Sequence, residues 1–558
     1  MACLYINIWH EVGKFFVNTR TFVILFLYRI VQPRDLQLKA RLVNIKPVEP
    51  LIELCLSDYV LDILNDFPGV TNLCTWPVLV LDSYVISGMC SVARQVVKFA
   101  DNENVRLWLG FRESCLVACA ESSVWTKFCE IDMMKSVEDI LASPRPDSNL
   151  VYLPENVVKY ECHLAKPVRI HNIYKIARNE QNNQSLQSSV PKEHLKIYHN
   201  FSEGPYITLA DAILYPCFEL IARSIDFSKI NSKIPHIIGW LDRLRLEHNF
   251  PKVNGECNLA TDKIQIIVPS VTCGSLYKAD FIRDNAEKHT KQYKIDDAFK
   301  LVEKIKNGIR NDVLSPGHSI KFNWNDIPLA ANPKGGSLPQ SRADRKCEQL
   351  ESMAKAAMHI VSEKNYRIVD FCSGSGHLGI LLAVLLPHCH IVLVENKERS
   401  LVRARETLSD LKLPNVTVVQ SNLDYFVGTF DLGVALHACG VATDLVLQMC
   451  IRNKADFLCC PCCYGGIKQC HELTYPRSAA YQELFSGREY SYFDLAHAAD
   501  QTHDKDNAKT EQGYRCMDII DTDRKLHAES CGYEVSLGKL QPPSCTNKNN
   551  LLVGTFRK

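Results

Sequence analysis

The sequence lacks an excess of charge of either sign, since 64 lysine and arginine residues stand against 63 acidic residues and leave a formal net charge of +1. A strongly basic chain would indicate nucleic acid or an anionic membrane as a partner. Because this chain has no such overall field, either kind of binding would have to come from a local patch of basic side chains. The hydrophobic fraction of 46% and the charged fraction of 23% are typical of a globular protein.

The sequence also lacks a hydrophobic run long enough to cross a bilayer. The apolar stretch TFVILFLY at residues 21–28 is far shorter than the roughly 20 residues of a membrane-spanning helix, so we predict a buried strand there. The first residues have no charged start followed by a long apolar segment, and we expect no secretory signal. The 24 cysteines are scattered without even spacing, which favours reduced thiols and a cytoplasmic protein that does not associate with membranes.

The sequence contains no internal repeat, and its 558 residues are enough for several domains. Mixed strand and helix patterns come first, helical patterns follow, and a connector that ends in a Pro- and Gly-rich segment leads to a final region. In that final region strands and helices alternate, which is typical of a parallel α/β sheet. The predicted regions are a mixed region at residues 1–100, a helical region at 101–250, a connector at 251–345 and an α/β region at 346–558.

Several local elements are predicted by their patterns. The segments QLKARLVNI and WPVLVL predict strands, and a helix is predicted over residues 87–100. In the helical region, Thr208 with Asp211 three residues later predicts a capping box. Pro235 marks the first turn of another helix. Further helices are predicted at residues 295–311 and 347–362.

A glycine-rich turn separates a predicted strand from a helix in IVDFCSGSGHLG, residues 368–379. Glycine lets the backbone adopt a positive φ or approach a ligand closely, and the helix start offers free N–H groups. Glu395 ends the next predicted strand, 19 positions after Gly376, where a carboxylate can accept hydrogen bonds from ribose hydroxyls. Asn422 ends a third strand, where it could read an adenine edge. The predicted cofactor-binding residues are Asp370, Cys372, Gly374, Gly376, Glu395 and Asn422.

This set of motifs resembles the class I S-adenosylmethionine-dependent methyltransferases, whose first motif has an acidic residue shortly before the turn, as Asp370 does here. The resemblance implies a Rossmann-like α/β domain and S-adenosylmethionine as the cofactor, with Asp370 beside its methionine moiety. Gly379 follows Gly376 with the spacing of a dinucleotide-binding motif, so the letters alone leave a nicotinamide cofactor open. Asp370 and the Ser421-Asn422 pair favour S-adenosylmethionine.

Further segments resemble a more specific family. LHACGVATDL, CCPCCYGGIK and the tail MDIIDTDRKLHAESCGYEV are similar to tRNA ribose 2′-O-methyltransferases and related proteins. With YITLADAILYPCFELI, SLYKADFIR and LPQSRADRKCEQLE, they resemble the glutathione S-transferase C-terminal domain-containing proteins over nearly all of residues 70–558. The resemblance implies a thioredoxin-like and then all-α glutathione-transferase-like region, followed by a Rossmann-like methyltransferase domain, in a cytoplasmic protein.

The resemblance to glutathione transferases stops short of their chemistry. Those enzymes activate the thiol of glutathione with a Tyr, Ser or Cys near the start of a thioredoxin-like domain. Pro77 matches their backbone-pairing proline, but ISGM at residues 86–89 departs from the acidic-Ser pattern that holds the glutamyl end. No activating residue follows residues 21–28. We therefore expect no glutathione binding and interpret this degenerate region as a scaffold or interaction module.

The residues after the fourth and fifth predicted strands should face the substrate. His437 could be a general base or orient the substrate, or it could be a polar strand-end residue without a chemical role. Tyr464 could stack on a base or ring, or pack in the core. Although CCPCC contains C-x₂-C spacings, adjacent thiols in a strand point to opposite faces, so no metal site is predicted. The predicted substrate-side residues are Cys439, Pro461, Cys462 and Tyr464.

Three functions are consistent with the sequence. The first is an S-adenosylmethionine-dependent methyltransferase that acts on RNA, with the ribose 2′-oxygen as a candidate acceptor, or on protein. The second is a non-catalytic scaffold that uses both enzyme-like regions to bind partners. The third is a glutathione transferase, which the missing thiol-activating residue disfavours.

Overall fold

The structure is a computed structural model that describes residues 2–45, 47–82, 84–120, 123–142, 150–253, 265–272, 276, 291–303, 316–336, 338–468, 470, 472–502 and 509–557. The segment SLYKADFIR, apart from Leu276, and residues 304–311 of one predicted helix lie outside these ranges. The chain divides into two compact units, Met1–Arg283 and Asp284–Lys558. Among the described helices, none has a stretch long and apolar enough to span a membrane.

The first unit begins with a mixed β-sheet and continues as helices. Its strands are β1 (Ala2–Glu11), β2 (Lys14–Val17), β3 (Leu36–Leu42), β4 (Ile52–Leu54), β5 (Leu61–Leu64), β6 (Val78–Leu81), β7 (Tyr84–Ser87), β8 (Leu150–Tyr152) and β9 (Gln265–Ile267). Its helices are α1 (Thr19–Val31), α2 (Met89–Lys98), α3 (Glu103–Arg106), α4 (Val124–Lys127), α5 (Met133–Ala142), α6 (Glu155–Leu164), α7 (Ile173–Glu180), α8 (Leu209–Ser224) and α9 (Pro235–Glu247).

The sheet of the first unit is built around β1. Strands β1 and β3 are parallel and are joined through α1, while β6 is antiparallel to the other side of β1 and β7 is antiparallel to β6. Strand β5 extends the sheet in parallel beside β3. The predicted strands β3 and β6 and the predicted helix α2 are confirmed, whereas β1 was not predicted from the sequence.

The prediction of a strand at residues 21–28 is wrong, because these residues lie inside α1. The helix begins after Asn18, whose side chain accepts a hydrogen bond from the Thr21 N–H at 2.9 Å. Nearly all of its apolar residues are buried. An unbroken apolar run has no period that separates a buried strand from a buried helix, so the pattern could not decide between them.

The helical part of the first unit confirms the predicted capping box. The Thr208 N–H donates to Asp211 Oδ2 at 2.7 Å, and α8 starts at the next residue. The same carboxylate accepts from the Ser202 N–H at 2.7 Å and from Trp240 Nε1 of α9 at 2.8 Å. One buried carboxylate therefore ties a loop and two helices together. Pro235 begins α9, as predicted.

The second unit alternates strands and helices. Its strands are β10 (Arg367–Phe371), β11 (His390–Glu395), β12 (Val416–Gln420), β13 (Leu432–Cys439), β14 (Asp456–Cys462), β15 (Tyr533–Lys539) and β16 (Asn550–Phe556). Its helices are α10 (Gln292–Val302), α11 (Gln340–Val361), α12 (His377–Leu385), α13 (Glu398–Leu411), α14 (Val441–Asn453), α15 (Ala479–Leu484), α16 (Glu489–Ala498) and α17 (Lys509–Ser530).

The strand order of the second unit places β10 at the centre of a parallel sheet. Strands β11 and β12 follow on one side of β10, and β13 and β14 follow on the other. Strand β16 is antiparallel to β14 and to β15, so the sheet ends in an antiparallel edge. The order reverses between β10 and β13, and ligands of open α/β sheets bind at the carboxyl ends of strands beside such a reversal.

The boundary between the two compact units falls inside the predicted connector of residues 251–345. Helix α10 belongs to the second unit. There Lys294 Nζ lies 3.7 Å from Asp494 Oδ2 of α16, and the Arg515 guanidinium of α17 stacks over the Phe299 ring at 4.1 Å. Helix α11 contains all but the last residue of the helix predicted at residues 347–362 and leads directly into β10.

Candidate cofactor and substrate site

The glycine turn follows β10 and has the backbone shape that its glycines allow. Gly374 and Gly376 have φ values of 57° and 76°, and Cys372 also has a positive φ of 53°. A Cβ atom on Gly376 would lie 2.9 Å from Leu393 Cδ1, so this glycine is needed for packing. A Cβ on Gly374 would meet nothing within 4 Å. The turn is therefore tight at Gly376 and open above Gly374.

Two further features of the turn fit a bound ligand. Ser373 Oγ is buried and has no hydrogen-bond partner among the residues that the structure describes. Helix α12 starts directly after Gly376, which provides no side-chain cap. Asp370 accepts from the Gly379 N–H, so the N–H groups before Gly379 are the ones left for a ligand. A helix start with uncapped N–H groups attracts polar or anionic groups of a ligand. The open space above Gly374 and the unpaired Ser373 hydroxyl are what a cofactor held against this turn would use.

Glu395 connects the end of β11 to the glycine turn. Its carboxylate accepts hydrogen bonds from the Gly374 N–H and from the Lys397 N–H, each at 2.9 Å, and the residue is buried. Each carboxylate oxygen has a second lone pair, so the group can still accept from ribose hydroxyls. The structure places the predicted ribose-binding residue directly beside the predicted turn.

Asp370 faces the helix rather than the open side of the turn. Its Oδ2 atom accepts from the Gly379 N–H of α12 at 2.9 Å, and the side chain is buried. Burial raises the pKa of Asp370 to about 7, although the Gly379 N–H and the positive charge of Lys346 act in the opposite direction. In this structure Asp370 fixes the start of α12 against β10, and its contact with the methionine moiety stays a prediction.

Asn422 follows β12 at the same edge of the sheet. Asn396 Nδ2 donates to Asn422 Oδ1 at 3.3 Å, which links the residues that follow β11 and β12. Ser421 Oγ donates to the Asn422 carbonyl at 2.7 Å. The structure thus brings Gly374, Glu395 and Asn422 to one edge, as the sequence predicts, while adenine recognition by Asn422 stays a prediction.

His437 lies near the end of β13 with an unusual backbone and one free ring nitrogen. Its φ is 68°, and the sheet register shifts between Leu436 and Cys439. Gln349 Nε2 donates a hydrogen bond to the Cys545 carbonyl at 2.9 Å, which orients Gln349 Oε1 toward His437. Gln349 Oε1 accepts a hydrogen bond from the Nε2–H of His437 at 3.1 Å. Nδ1 then carries a lone pair and is buried with no partner in the described part of the chain. Burial and the nearby Lys346 lower the pKa of His437 to about 4.

Two residues of this site were missed by the sequence analysis. Lys346 and Gln349 lie on α11, and Lys346 is close enough to affect the pKa of Asp370 and of His437. Residues three apart share one face of a helix, so the i,i+3 spacing of Lys346 and Gln349 is the signal that was present. Nothing in the sequence indicates which edge of the sheet that face meets.

Three cysteines meet at the ends of β13 and β14. Cys439 Sγ lies 3.3 Å from Cys462 Sγ and 3.3 Å from Cys463 Sγ. The neighbouring Cys462 and Cys463 thiols, which donate to the Cys439 sulfur, lower the pKa of Cys439 to about 6, whereas burial of Cys439 and the charge of Asp500 raise it. Both substrate-side predictions, Cys439 and Cys462, therefore lie at the carboxyl edge of the sheet. Cys463 joins them and was not singled out from the sequence.

Tyr464 and Pro461 lie in the core. The Tyr464 ring is fully buried, and its hydroxyl donates to Asp521 Oδ2 at 2.6 Å. Arg524 makes ion pairs with Asp521 at 2.9 Å and with Asp444 at 2.7 Å, which completes a buried network. This corrects the interpretation of Tyr464 as a residue that contacts substrate, whereas Pro461 is buried near the end of β14 and its contact with substrate stays a prediction. The Tyr464 ring cannot stack on a ligand because α17 covers it. Asp521, the α17 residue that binds the Tyr464 hydroxyl, is 57 residues further along the chain.

Comparison with known proteins defines the class of the second unit. Residues 345–470 match the family model of a methyltransferase domain. The second unit, which has a mixed α/β fold, thus contains a methyltransferase domain, and S-adenosylmethionine is the cofactor of this class, as predicted. The crystal structure of the magnesium protoporphyrin IX methyltransferase from Synechocystis PCC 6803 with bound SAH aligns with 42% of this chain and 96% of that chain, with a TM-score of 0.26 and 15% identity.

Relatives that align over most of the chain identify the family. A glutathione S-transferase C-terminal domain-containing protein homolog from Drosophila pseudoobscura pseudoobscura is 40% identical over 501 residues, which are 85% of this chain and 83% of the relative. The human glutathione S-transferase C-terminal domain-containing protein is 30% identical over 632 aligned positions, covering 99% of this chain and 98% of the relative. The chain belongs to the family of glutathione S-transferase C-terminal domain-containing proteins, which confirms the resemblance.

Proposed function

We propose that the protein transfers a methyl group from S-adenosylmethionine to a nucleophilic acceptor at the carboxyl edge of the second unit. The observation that carries this proposal is the turn after β10, which is open above Gly374, lies beside the Glu395 carboxylate and contains the unpaired Ser373 hydroxyl. When bound, the cofactor supplies an electrophilic methyl group on a sulfonium. The turn, Glu395 and Asn422 would hold it at the edge where β13 and β14 also end.

His437 is the candidate general base. Methyl transfer is an in-line displacement, so the protein must align the acceptor and, for a hydroxyl acceptor, remove its proton. Gln349 holds the Nε2 side of the ring, which leaves the Nδ1 lone pair free to take that proton. Burial keeps the ring neutral at physiological pH, as a base must be before it accepts a proton.

RNA ribose is the acceptor that we propose first, and a protein side chain is the alternative. A ribose 2′-hydroxyl loses a proton when it is methylated, and the Nδ1 lone pair of His437 is a candidate to take it. The near-zero net charge supports only a local RNA contact, so salt should weaken binding less steeply than for a strongly basic protein. Labelled methyl donor incubated with fractionated cell extract tests the acceptor. Label in alkali-resistant dinucleotides after RNA hydrolysis supports the ribose, and label released by protease supports protein.

Cofactor binding is tested by calorimetry on a matched pair of glycine variants. Gly374 and Gly487 both have a positive φ, 57° and 69°, and open space around a Cβ position. Gly374→Arg should abolish S-adenosylmethionine binding, because the new side chain fills the space above the turn. Gly487→Arg carries the same backbone strain in the turn before α16 and should leave binding unchanged. Unchanged binding in Gly374→Arg would refute the proposed cofactor site.

For the first unit, we infer a degenerate thioredoxin-like region followed by a glutathione-transferase-like helical region that binds partners without glutathione chemistry. Two observations support this assignment. The strands of the sheet have the order β3, β1, β6 and β7, with α1 connecting β1 to β3, and a capping box precedes α8. Ser87, the one serine of the segment ISGM, is fully buried and donates to the Thr75 carbonyl at 2.9 Å. It is therefore occupied by the fold.

A cavity of about 1180 Å³ in the helical region, lined in part by Trp108, Phe111 and Trp125, makes the glutathione test worth doing. We expect no retention on immobilised glutathione and no conjugation of an electrophile. Retention with measurable conjugation would support a glutathione transferase. Absence of methyl transfer to every RNA and protein fraction, with the cofactor bound, would support the scaffold function for the whole chain.

A further inference from the structure

The ends of β13 and β14 bring three thiols to one point by an unusual backbone path. Cys439 and Cys462 are paired Cα partners of the two parallel strands, after a register shift that starts at Leu436. In a regular strand, Cys462 and Cys463 would point to opposite faces. Cys463 instead adopts a left-handed conformation with φ 49° and ψ 51°, which turns its thiol to the same side. The local backbone therefore favours convergence of these side chains.

The distances fit thiolate ligands of one metal ion. Cys439 Sγ lies 3.3 Å from each of the other two sulfur atoms, and all three lie within 4.8 Å of one another. In a tetrahedral zinc site with bonds of about 2.3 Å, two sulfur ligands are about 3.8 Å apart. A disulfide would need a separation of about 2.05 Å. The two shorter separations are thus about 0.5 Å below the spacing that a shared ion requires, which small side-chain rotations can supply.

The surroundings hold the cluster in place and leave one side open. Cys439 and Cys463 are exposed, and Cys462 is buried beneath them. The Asp500 carboxylate accepts from the Tyr464 N–H at 3.0 Å and from the Gly465 N–H at 2.8 Å, which fixes the turn after β14. The charges near Cys439 offset one another, because Lys397 is positive, Asp500 is negative, and Asp500 is itself paired with Lys548 Nζ at 3.1 Å.

The spacing within CCPCC suggested different thiol pairs, and the structure does not form them. Cys459 and Cys460 are buried within β14, and Cys460 donates to the Lys548 carbonyl at 3.3 Å. The third thiol comes instead from Cys439, 23 residues before Cys462. The local spacing, from which no metal site was predicted, does not indicate this ligand.

We propose that Cys439, Cys462 and Cys463 bind one thiophilic divalent metal ion, with Zn²⁺ as the probe, and leave its fourth coordination position open. Among the residues that the structure describes, this cluster supplies three ligands and no fourth. Zinc sites with three protein ligands and an open position bind water or substrate, whereas structural zinc sites have four protein ligands. The open position faces the edge where the acceptor would bind, so the ion would position a hydroxyl, water or thiol there. The metal site itself does not depend on methyl transfer.

The test uses the full chain, reduced and free of chelator, titrated with Co²⁺ as a spectroscopic substitute for Zn²⁺. We expect a thiolate-to-cobalt absorption band that saturates at about one ion per chain and disappears when Zn²⁺ is added. The variants Cys439→Ser and Cys463→Ser change exposed residues, so circular dichroism should show an unchanged fold. Since loss of a mere supporting group costs about 10–100-fold in affinity, loss of a ligand should weaken Zn²⁺ binding by about 100-fold or more.

Cys460→Ser is the matched control, because Cys460 lies in the same cysteine run but outside the cluster, and its serine hydroxyl can still donate to the Lys548 carbonyl. It should keep the band. No band in the reduced protein, or an equal band in Cys439→Ser and Cys463→Ser, would overturn the proposal. A disulfide between Cys439 and Cys462 in air-exposed protein that binds no metal when reduced would also overturn it. Calorimetry with S-adenosylmethionine on the same samples separates these outcomes from failure of the proposed cofactor site.

Discussion

The capping network of the first unit and the carboxyl edge of the second unit both bury polar side chains, but they differ in how these are paired. Asp211 accepts three hydrogen bonds from N–H groups, one of them from a second helix, and a fourth from the Thr208 hydroxyl at 3.3 Å, so no acceptor position is left for a ligand. At the carboxyl edge, Ser373 Oγ and His437 Nδ1 are buried without partners in the described chain. A fully paired network stabilises a fold, whereas buried groups left unpaired cost stability, and where they lie at the edge that would bind the cofactor they are available to a ligand.

The largest expected effect concerns the unpaired ring nitrogen. His437→Asn should lower the rate of methyl transfer by about 10²–10⁴-fold, the usual contribution of a general base, and leave cofactor binding intact. Single-turnover kinetics with labelled donor and calorimetry measure the two effects separately. His390 at the start of β11, whose Nε2 lies 3.0 Å from Thr417 Oγ1, is the matched histidine at the opposite edge of the sheet. Equal rates in His390→Asn and His437→Asn would contradict the role of His437.

The paired network should respond through stability instead. Asp211→Ala leaves three buried N–H donors without an acceptor, and each costs about 1–3 kcal/mol, so we expect the first unit to lose about 3 kcal/mol or more. Amide hydrogen exchange of α8 and α9 measures this loss. Asp242→Ala removes an exposed ion pair with Arg245 at 3.1 Å and should cost less than about 1 kcal/mol. A similar cost for both variants, or a loss of cofactor binding in Asp211→Ala, would contradict the comparison.

The pH dependence of stability tests Asp370. Its buried carboxyl is only partly paired, since it accepts one hydrogen bond, from the Gly379 N–H. Burial raises its pKa to about 7, so the folded protein keeps the proton that the unfolded chain releases near pH 4. The stability that this proton provides is fully present below pH 4 and is lost as pH rises to about 7. Asp370→Asn should therefore be more stable than the unchanged protein by about 2–4 kcal/mol at pH 8 and equally stable at pH 4. Denaturant unfolding of the ligand-free proteins at both pH values gives the answer, and a pH-independent difference would contradict it.

The smallest expected effect distinguishes a core tyrosine from a substrate contact. Tyr464→Phe removes a hydrogen bond to a buried carboxylate and should cost about 1.5–3 kcal/mol, with no change in the rate of methyl transfer. Tyr481 is equally buried, and its hydroxyl has no partner among the described residues, so Tyr481→Phe should be neutral or stabilising. Thermal unfolding compares the two variants. A higher KM for the methyl acceptor in Tyr464→Phe would restore its role as a substrate contact.

Local patterns in the sequence predicted the elements that depend on near neighbours. The glycine turn with Glu395 after the next strand was found from residues 368–395, and the capping box of Thr208 and Asp211 from four residues. Each depends on spacing within one or two elements, where helix and strand periods are strict. The apolar run at residues 21–28 has no such period, and its helix depends on the Asn18 cap and on burial from several sides.

The parts of the site that could not be predicted all depend on contacts far apart in the sequence. Gln349 meets His437 88 residues away, and Cys439 meets Cys462 across a register shift between two strands. Tyr464 was assigned to the substrate side because it follows a strand, but Asp521 of α17 holds it in the core. Position after a strand indicates which edge a residue reaches, but not which of its neighbours covers it.

The measurement that tests the central claim most directly is amide hydrogen exchange of the whole chain with and without S-adenosylmethionine. The account predicts that the cofactor slows exchange at residues 372–380, 395–397 and 420–423, around the glycine turn, Glu395 and Asn422. It predicts no change in α8 and α9, whose network is complete without a ligand. Protection confined to the first unit, or no protection anywhere at saturating cofactor, would contradict the claim that the carboxyl edge of the second unit is the functional site.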